Sequence, residues 1–288
     1  MKTENSSNKQ ERMTNEQAYE QRLLDVLSYH QPGEASQINN QDVKFCVING
    51  NAKDISWAKA GDELNEALER IYKDNGEDCF VSISEFKGEK LNENYVASIK
   101  IFYIKLRKTE RFNPSTTDEG RNIILKYCQE RGFPTPTVII YDGNEYILKW
   151  ILKEPLNGIF SLDLWTNVQE FLSERFFSLL DDRYYLEDRN NPKKKFIEAH
   201  SHATAILRVP GFLNSQANGF ETRIIFNSGI KYSTGEVAIK LDLSRDEIEQ
   251  YRGTKELARG YSHKKNSSPD SCVRINFNNK KKQRRRRN

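Results

Sequence analysis

Leu207-Arg208-Val209-Pro210-Gly211-Phe212-Leu213-Asn214 sets one guanidinium inside an apolar run that a Pro-Gly pair then turns. Leu207 and Val209 belong in a core, so Arg208 must be paired or aimed at an anion, because an unpaired buried charge is costly. The apolar run reads as a short strand over residues 205–209, closed by Pro210-Gly211. Taken alone, that dipeptide is a turn and nothing more.

Working outward, residues 137–141 and 146–152 are β-branched and aromatic runs around Asp142-Gly143-Asn144, the clearest hairpin in the chain. Between hairpin and turn lies a long helix over residues 162–180, with Ser161 as its N-cap, then a charged irregular stretch over 181–198. Further upstream, residues 44–48 read as a strand closed by Asn49-Gly50. Trp57, Ala60, Leu64, Ala67, Leu68 and Ile71 recur at helical spacing and stop at Asn75-Gly76. Strands follow over 79–86 and 95–106, then a helix over 117–131 with Gly132 as its stop and Pro134 beyond. Ala18, Leu23, Leu24, Val26 and Leu27 give a first helix ending near Tyr29. Downstream, residues 223–226 and 237–241 read as strands, and Ser244 opens a last helix with a capping box to Glu247.

This organisation predicts a disordered tail over 1–15, a helix and linker over 16–40, an α+β domain over 41–258 and a disordered basic tail over 259–288. There is no internal repeat. Of the 288 residues 36% are hydrophobic and 30% charged, and the mean hydropathy of -0.79 fits a core flanked by polar tails.

The net charge of +4 hides an asymmetry. Seven cations lie in residues 280–288, leaving 38 basic against 41 acidic residues elsewhere. The basic character therefore belongs to the end of the chain. Cys46, Cys79, Cys128 and Cys272 form no CxxC pair, which argues against zinc ribbons and disulfide frameworks and fits a reducing compartment. No apolar run approaches the roughly 18 residues of a membrane span, and the polar N-terminus carries no apolar signal region. The expected location is the cytoplasm.

Three ordered stretches resemble the RepB-type replication primases of the archaeo-eukaryotic primase superfamily. Residues 207–214 are similar to that family's LR-(V/L)-PG-x-x-N signature. Residues 136–152, with Trp150-Ile151-Leu152 and nearby Pro155, resemble its hairpin followed by W-x-L. Residues 165–172 resemble the W-x-x-(V/L)-Q-x-x-L helix between them. The resemblance spans about 130 residues, and residues 80–107 fall where the family has its core hairpin. It implies a primase/RRM-like core, α+β, with a mixed and largely antiparallel sheet flanked by helices. Trp150 and Trp165 read as core anchors.

The same resemblance implies phosphoryl transfer by two divalent metals held by carboxylates, two of them in a D-x-D pair at a strand end. Residues at i and i+2 of a strand share a face and reach the same ions. Here Lys105 and Arg107 fall at the D-x-D positions, and His202, a poor magnesium ligand, falls at the third. Acids that could rescue catalysis are Glu85, Asp142 and the Asp181-Asp182 pair. Asp142 is expected to serve its turn and Glu85 to face solvent. His200 and His202 share a face if extended, which suits a structural pair better than a metal site.

Lys105, Arg107 and Arg208 together form either a phosphate-holding patch or, for the first two, the solvated end of a strand. Lys280, Lys281, Lys282, Arg284, Arg285, Arg286 and Arg287 cannot pack and suit a polyanion. The expectation is a DNA-binding replication protein of a plasmid or mobile element with weak or no primer synthesis. Alternatives are an active primase with a rearranged metal site, or an interaction protein whose basic tail is a targeting signal. Partners would be DNA, single- or double-stranded, and a replicative helicase or initiator, with no membrane. No cofactor is expected, apart from magnesium or manganese if catalysis survives.

Overall fold

Ile99, Ile101, Phe102, Tyr103, Ile104 and Leu106 are all buried on one strand, and the sheet grows around them. The computed structural model describes residues 12–29, 43–50, 54–74, 76–109, 112–157, 159–180, 200–241 and 243. That strand, β5 (Val96–Arg107), pairs antiparallel with β7 (Glu145–Asn157), which forms a hairpin with β6 (Val138–Tyr141). β11 (Arg223–Asn227) covers the outer edge of β6. On the other side come β4 (Ser84–Lys87), β1 (Val43–Asn49), β3 (Cys79–Ser82) and β8 (Ile206–Arg208), with β2 (Ile55–Ala58) paired to β1. A short ribbon of β9 (Leu213–Asn214) and β10 (Phe220–Glu221) stands apart. Strand pairs among the described residues are antiparallel, and the parallel contacts are isolated bridges at Glu77↔Leu213 and Leu152↔Tyr232. The fold is α+β with a largely antiparallel sheet flanked by helices.

The helices are α1 (Asn15–Leu24), α2 (Val26–Tyr29), α3 (Asp62–Asp74), α4 (Thr117–Arg131), α5 (Ile159–Leu180) and α6 (Thr234–Lys240). One core gathers Phe102, Trp150, Trp165, Leu172 and Phe176, with the Phe102 and Trp165 rings stacked at 6.2 Å. A second lies under α3, whose Leu64, Ala67, Leu68 and Ile71 meet Val47, Val81, Phe212 and Val26.

β4 reaches only the beginning of β5, so the backbone edge from Ile101 to Lys105 has no strand beside it. Side chains close it instead. Trp165 Nε1 donates to the Ile101 carbonyl at 2.8 Å. Gln169 accepts from the Tyr103 N–H at 3.1 Å and donates to the Tyr103 carbonyl at 2.6 Å. His200 Nε2 accepts from the Lys105 N–H at 2.9 Å. Trp165 and Gln169 stand one helical turn apart, so one face of α5 supplies three of the four bonds. Left open, such an edge would bury orphan backbone groups or recruit another chain.

Several expected boundaries move. Trp57 lies on β2, and α3 starts only at Asp62, after Gly61 at a φ of 88° and with Asp62 and Glu63 suiting its positive end. Residues 79–86 split at Ile83 into β3 and β4. Ser161 lies inside the first turn of α5, which begins at Ile159. Residues 237–240 are helical and Leu241 caps them, because Ser233 and Glu236 make a capping box and Val237 and Leu241 then bury one turn apart. The first helix breaks at Asp25 and buries Ala18, Arg22 and Val26 while Leu23 and Leu24 stay exposed. The helix expected from Ser244, the basic tail and residues 1–11 fall outside the described residues; at the end of the tail expected over 1–15, Met13 N–H donates to Glu221 Oε2 at 2.8 Å, Thr14 caps α1 and Asn15 begins it.

Candidate functional site

Arg208 ends β8 directly opposite Phe80 of β3, with its guanidinium carbon 4.4 Å from the center of the Phe80 ring. Nη1 reaches Asp78 Oδ1 at 2.5 Å and Nε reaches Asp142 Oδ2 at 3.3 Å. The anion demanded by its sequence setting is thus a pair of carboxylates from the chain itself. Asp78 sits just before β3 at a φ of 46°, a left-handed position that Asp tolerates. Its carboxylate also accepts from the Ser215 N–H at 3.2 Å and from the Ser215 hydroxyl. Burial would raise the Asp78 carboxyl, but the Ser215 and Arg208 hydrogen bonds outweigh it and hold the group below its usual range.

Asp142 does serve its turn. Oδ1 accepts from the N–H groups of Asn144 at 2.9 Å and Glu145 at 2.8 Å. Gly143, at a φ of 94°, leaves no room for a side chain, since a Cβ there would come within 2.6 Å of Ala217 Cβ. Asn214 Nδ2 donates to the Asp142 carbonyl at 2.7 Å. Both polar members of the 207–214 stretch, Arg208 and Asn214, therefore grip the tip of the β6–β7 hairpin. Gly211, at a φ of 85°, lets that stretch turn beneath Ala18 of α1, 3.0 Å from where its Cβ would be.

Arg107 lies in register with Glu145 and pairs with it through Nε, its side chain 80% exposed. Lys105 is opposite Ile147, half-buried, with its backbone held by His200. Glu85, expected to face solvent, is instead buried on β4 beside Ser98, whose hydroxyl donates to Oε2. Its Oε1 is buried without a partner, and burial raises its carboxyl despite Ser98 and nearby Lys100. The cause is the β4–β5 ladder, which turns Glu85 and Ser98 to the same side. Ser98 and Arg107 mark opposite ends of β5, roughly 30 Å apart at about 3.3 Å per residue. Glu85 and the Arg107 end of the strand cannot share one ion.

The two histidines separate. His200 is buried with its ring 5.7 Å from that of Tyr103, while His202 is exposed with Nδ1 3.6 Å from Glu93 Oε1. Asp181, Asp182 and residues 280–288 lie outside the described residues. Among the described residues, no three His, Cys, Asp or Glu side chains form a group that could hold a metal ion. The donor set near Lys105 does not fit a two-metal center.

The sequence reading missed Asp78, Asp25 and Lys149. Asp25 and Lys149 form an ion pair of 2.6 Å with both side chains at 0% exposure. Burial pushes the Asp25 carboxyl up and the Lys149 amine down, and each opposes the other's shift by its charge. Lys149 lies in a β-rich run with no mark of its partner, which is 124 residues away. Among the described residues no helix is long and apolar enough to cross a membrane.

No family model matches the sequence, and no curated protein matches it. Solved structures similar to this chain include the AEP domain of the primase-polymerase of cyanophage S-2L, at 11% identity and a TM-score of 0.42, over 72% of this chain and 93% of that one. A second is the catalytic domain of primase RepB' in complex with initiator DNA, at 11% identity and a TM-score of 0.42, over 83% and 98%. A third is primase RepB', at 12% identity and a TM-score of 0.42, over 86% and 68%.

Proposed function

We propose that this chain is a primase-like, replication-associated protein of a plasmid or other mobile element, one that binds DNA but makes primers weakly or not at all. The observation that carries this reading is the identity of Lys105 and Arg107. They occupy one face of β5 at the positions where the resemblance to RepB-type primases asks for paired carboxylates. An ammonium and a guanidinium repel magnesium and attract phosphate. The acids around that end of the strand are already engaged, Glu145 by Arg107 and both Asp78 and Asp142 by Arg208. The cations of residues 280–288 would add contacts to the DNA backbone, and a replicative helicase or initiator would be the protein partner, in the cytoplasm.

The test is a primer-synthesis assay with the full chain, a single-stranded template and magnesium or manganese, run beside DNA-binding titrations. Binding that weakens steeply with salt, without oligonucleotide products, is the expected result. Robust products that vanish on substituting Glu85 or Asp142 would overturn the inactive half of the reading and favor a rearranged metal site.

A further inference from the structure

α1 docks inside out. Ala18 and Arg22 face inward at 0% exposure while Leu23 and Leu24 stay 44% and 46% exposed. Arg22 bonds Glu69 through Nη2 and lies 4.9 Å from the center of the Tyr72 ring and 5.6 Å from that of Phe212. Its Nε and Nη1 are buried without partners. Asp25, at the end of α1, grips Lys149 Nζ with both oxygens, at 2.7 and 2.6 Å. Replacing such a buried pair with apolar residues is often neutral or stabilizing. An element held only to stabilize the core would point its leucines in and its charges out.

What Asp25 covers is part of the sheet face already described. Lys149 is in register with Tyr103, and Tyr103, Lys105 and Arg107 alternate onto one side of β5. Lys149 therefore continues the cationic row of Lys105 and Arg107. Beside it, the Tyr103 side chain is fully buried and its hydroxyl has no partner. An ammonium next to an aromatic ring is the pairing that single-stranded nucleic acid uses, phosphate on the cation and base on the ring. The Asp25 carboxylate now meets that ammonium as an outside anion would.

We propose that α1–α2 is an internal competitor for nucleic acid, in which Asp25 occupies Lys149 in place of a backbone phosphate and must leave before the Lys149–Tyr103 face takes a strand. This rests on the DNA-binding reading and adds a control to the same face. Helix and strand then exclude each other, and each weakens the other by the same factor. Release also removes Arg22 from a site where two of its N–H groups lack partners.

The experiment uses the full chain and a fluorescein-labeled single-stranded oligonucleotide, read by anisotropy, together with hydrogen exchange over residues 15–29. Asp25→Asn keeps the size of the side chain and removes the competing charge. It should bind at least fivefold more tightly than the wild type, and adding Lys149→Met should erase that gain. In the wild-type chain the oligonucleotide should speed exchange over residues 15–29. Unchanged affinity in a folded Asp25→Asn chain would overturn the proposal, as would slower exchange over those residues. Should Asp25→Asn fail to fold, the wild-type exchange result decides alone. Absence of binding in every variant would sink the DNA-binding reading and this inference with it, whereas wild-type binding untouched by Asp25→Asn sinks only the inference.

Discussion

Arg208 owes its setting to two aspartates from distant parts of the chain, so its removal leaves two negative charges facing each other. Arg208→Met should cost about 3–5 kcal/mol at pH 7, the usual loss when one member of a buried pair goes. The Asp78 carboxyl is depressed in the folded protein, so its stabilizing contribution is present above the unfolded value near 3.8 and is lost as pH falls through the lower folded one. In Arg208→Met that dependence shrinks to the share Ser215 still supplies, and urea melts below the unfolded value, at about pH 3, should show a smaller deficit than melts at pH 7. Glu85 has the opposite sign. Its carboxyl is raised, so ionization costs stability as pH climbs from the unfolded value of 4.5 through the folded one. Glu85→Gln should therefore gain about 1 kcal/mol at pH 8, or about 2–4 °C in melting temperature, with no gain at pH 4. The need of Arg208 for an anion was legible from its apolar flanks. The burial of Glu85 was not, because a glutamate among serine, phenylalanine and lysine looks the same on either face of a strand.

The central strand stands on borrowed partners, which makes α5 a part of the sheet's edge as well as its cover. Gln169→Leu fills the same space but strands the Tyr103 N–H and carbonyl, at a cost of about 1–3 kcal/mol. Hydrogen exchange should report it locally, because the Tyr103 amide, which donates to Gln169 Oε1, loses protection while the β5–β7 ladder keeps its own. Uniform loss along β5 would assign Gln169 a general packing role instead. Elements with local signals were legible: the hairpin at Asp142-Gly143-Asn144, α4 with Gly132 at its end, and β5 itself. Those whose identity came from competing signals were not. Residues 237–241 alternate like a strand but follow a capping box, and Trp57 matches the spacing of α3 but pairs with Cys46 on β1. Pro155, without an N–H, falls where β7 slips register against β5, Ile99 facing Leu156 but Ile101 facing Ile151.

Across the whole molecule, the candidate site joins pieces no local pattern connects. Asp25 meets Lys149 across 124 residues, and Arg208 meets Asp78 across 130. Sequence singled out Arg208 and Asp142 but left Asp78 and the whole Asp25–Lys149 pair unseen, because ion pairs across a sheet depend on register and not on spacing. The basic end of the chain is the reverse case, fully legible and outside the described residues, so its role rests on charge alone. If residues 280–288 hold DNA phosphates, each of the seven cations that makes a contact contributes about -0.9 to the slope of log affinity against log salt. Deleting those residues should flatten the slope measured on duplex DNA by up to about six, with the loss of affinity greatest at low salt. On a single-stranded oligonucleotide the truncated chain should keep a shallow slope from the sheet face, with an affinity that Asp25→Asn still shifts. An unchanged slope would free the tail for targeting and leave all the binding to the face around Lys105. A slope that falls to zero on the single strand as well would place the binding in the tail alone and leave the face around Lys105 without a role.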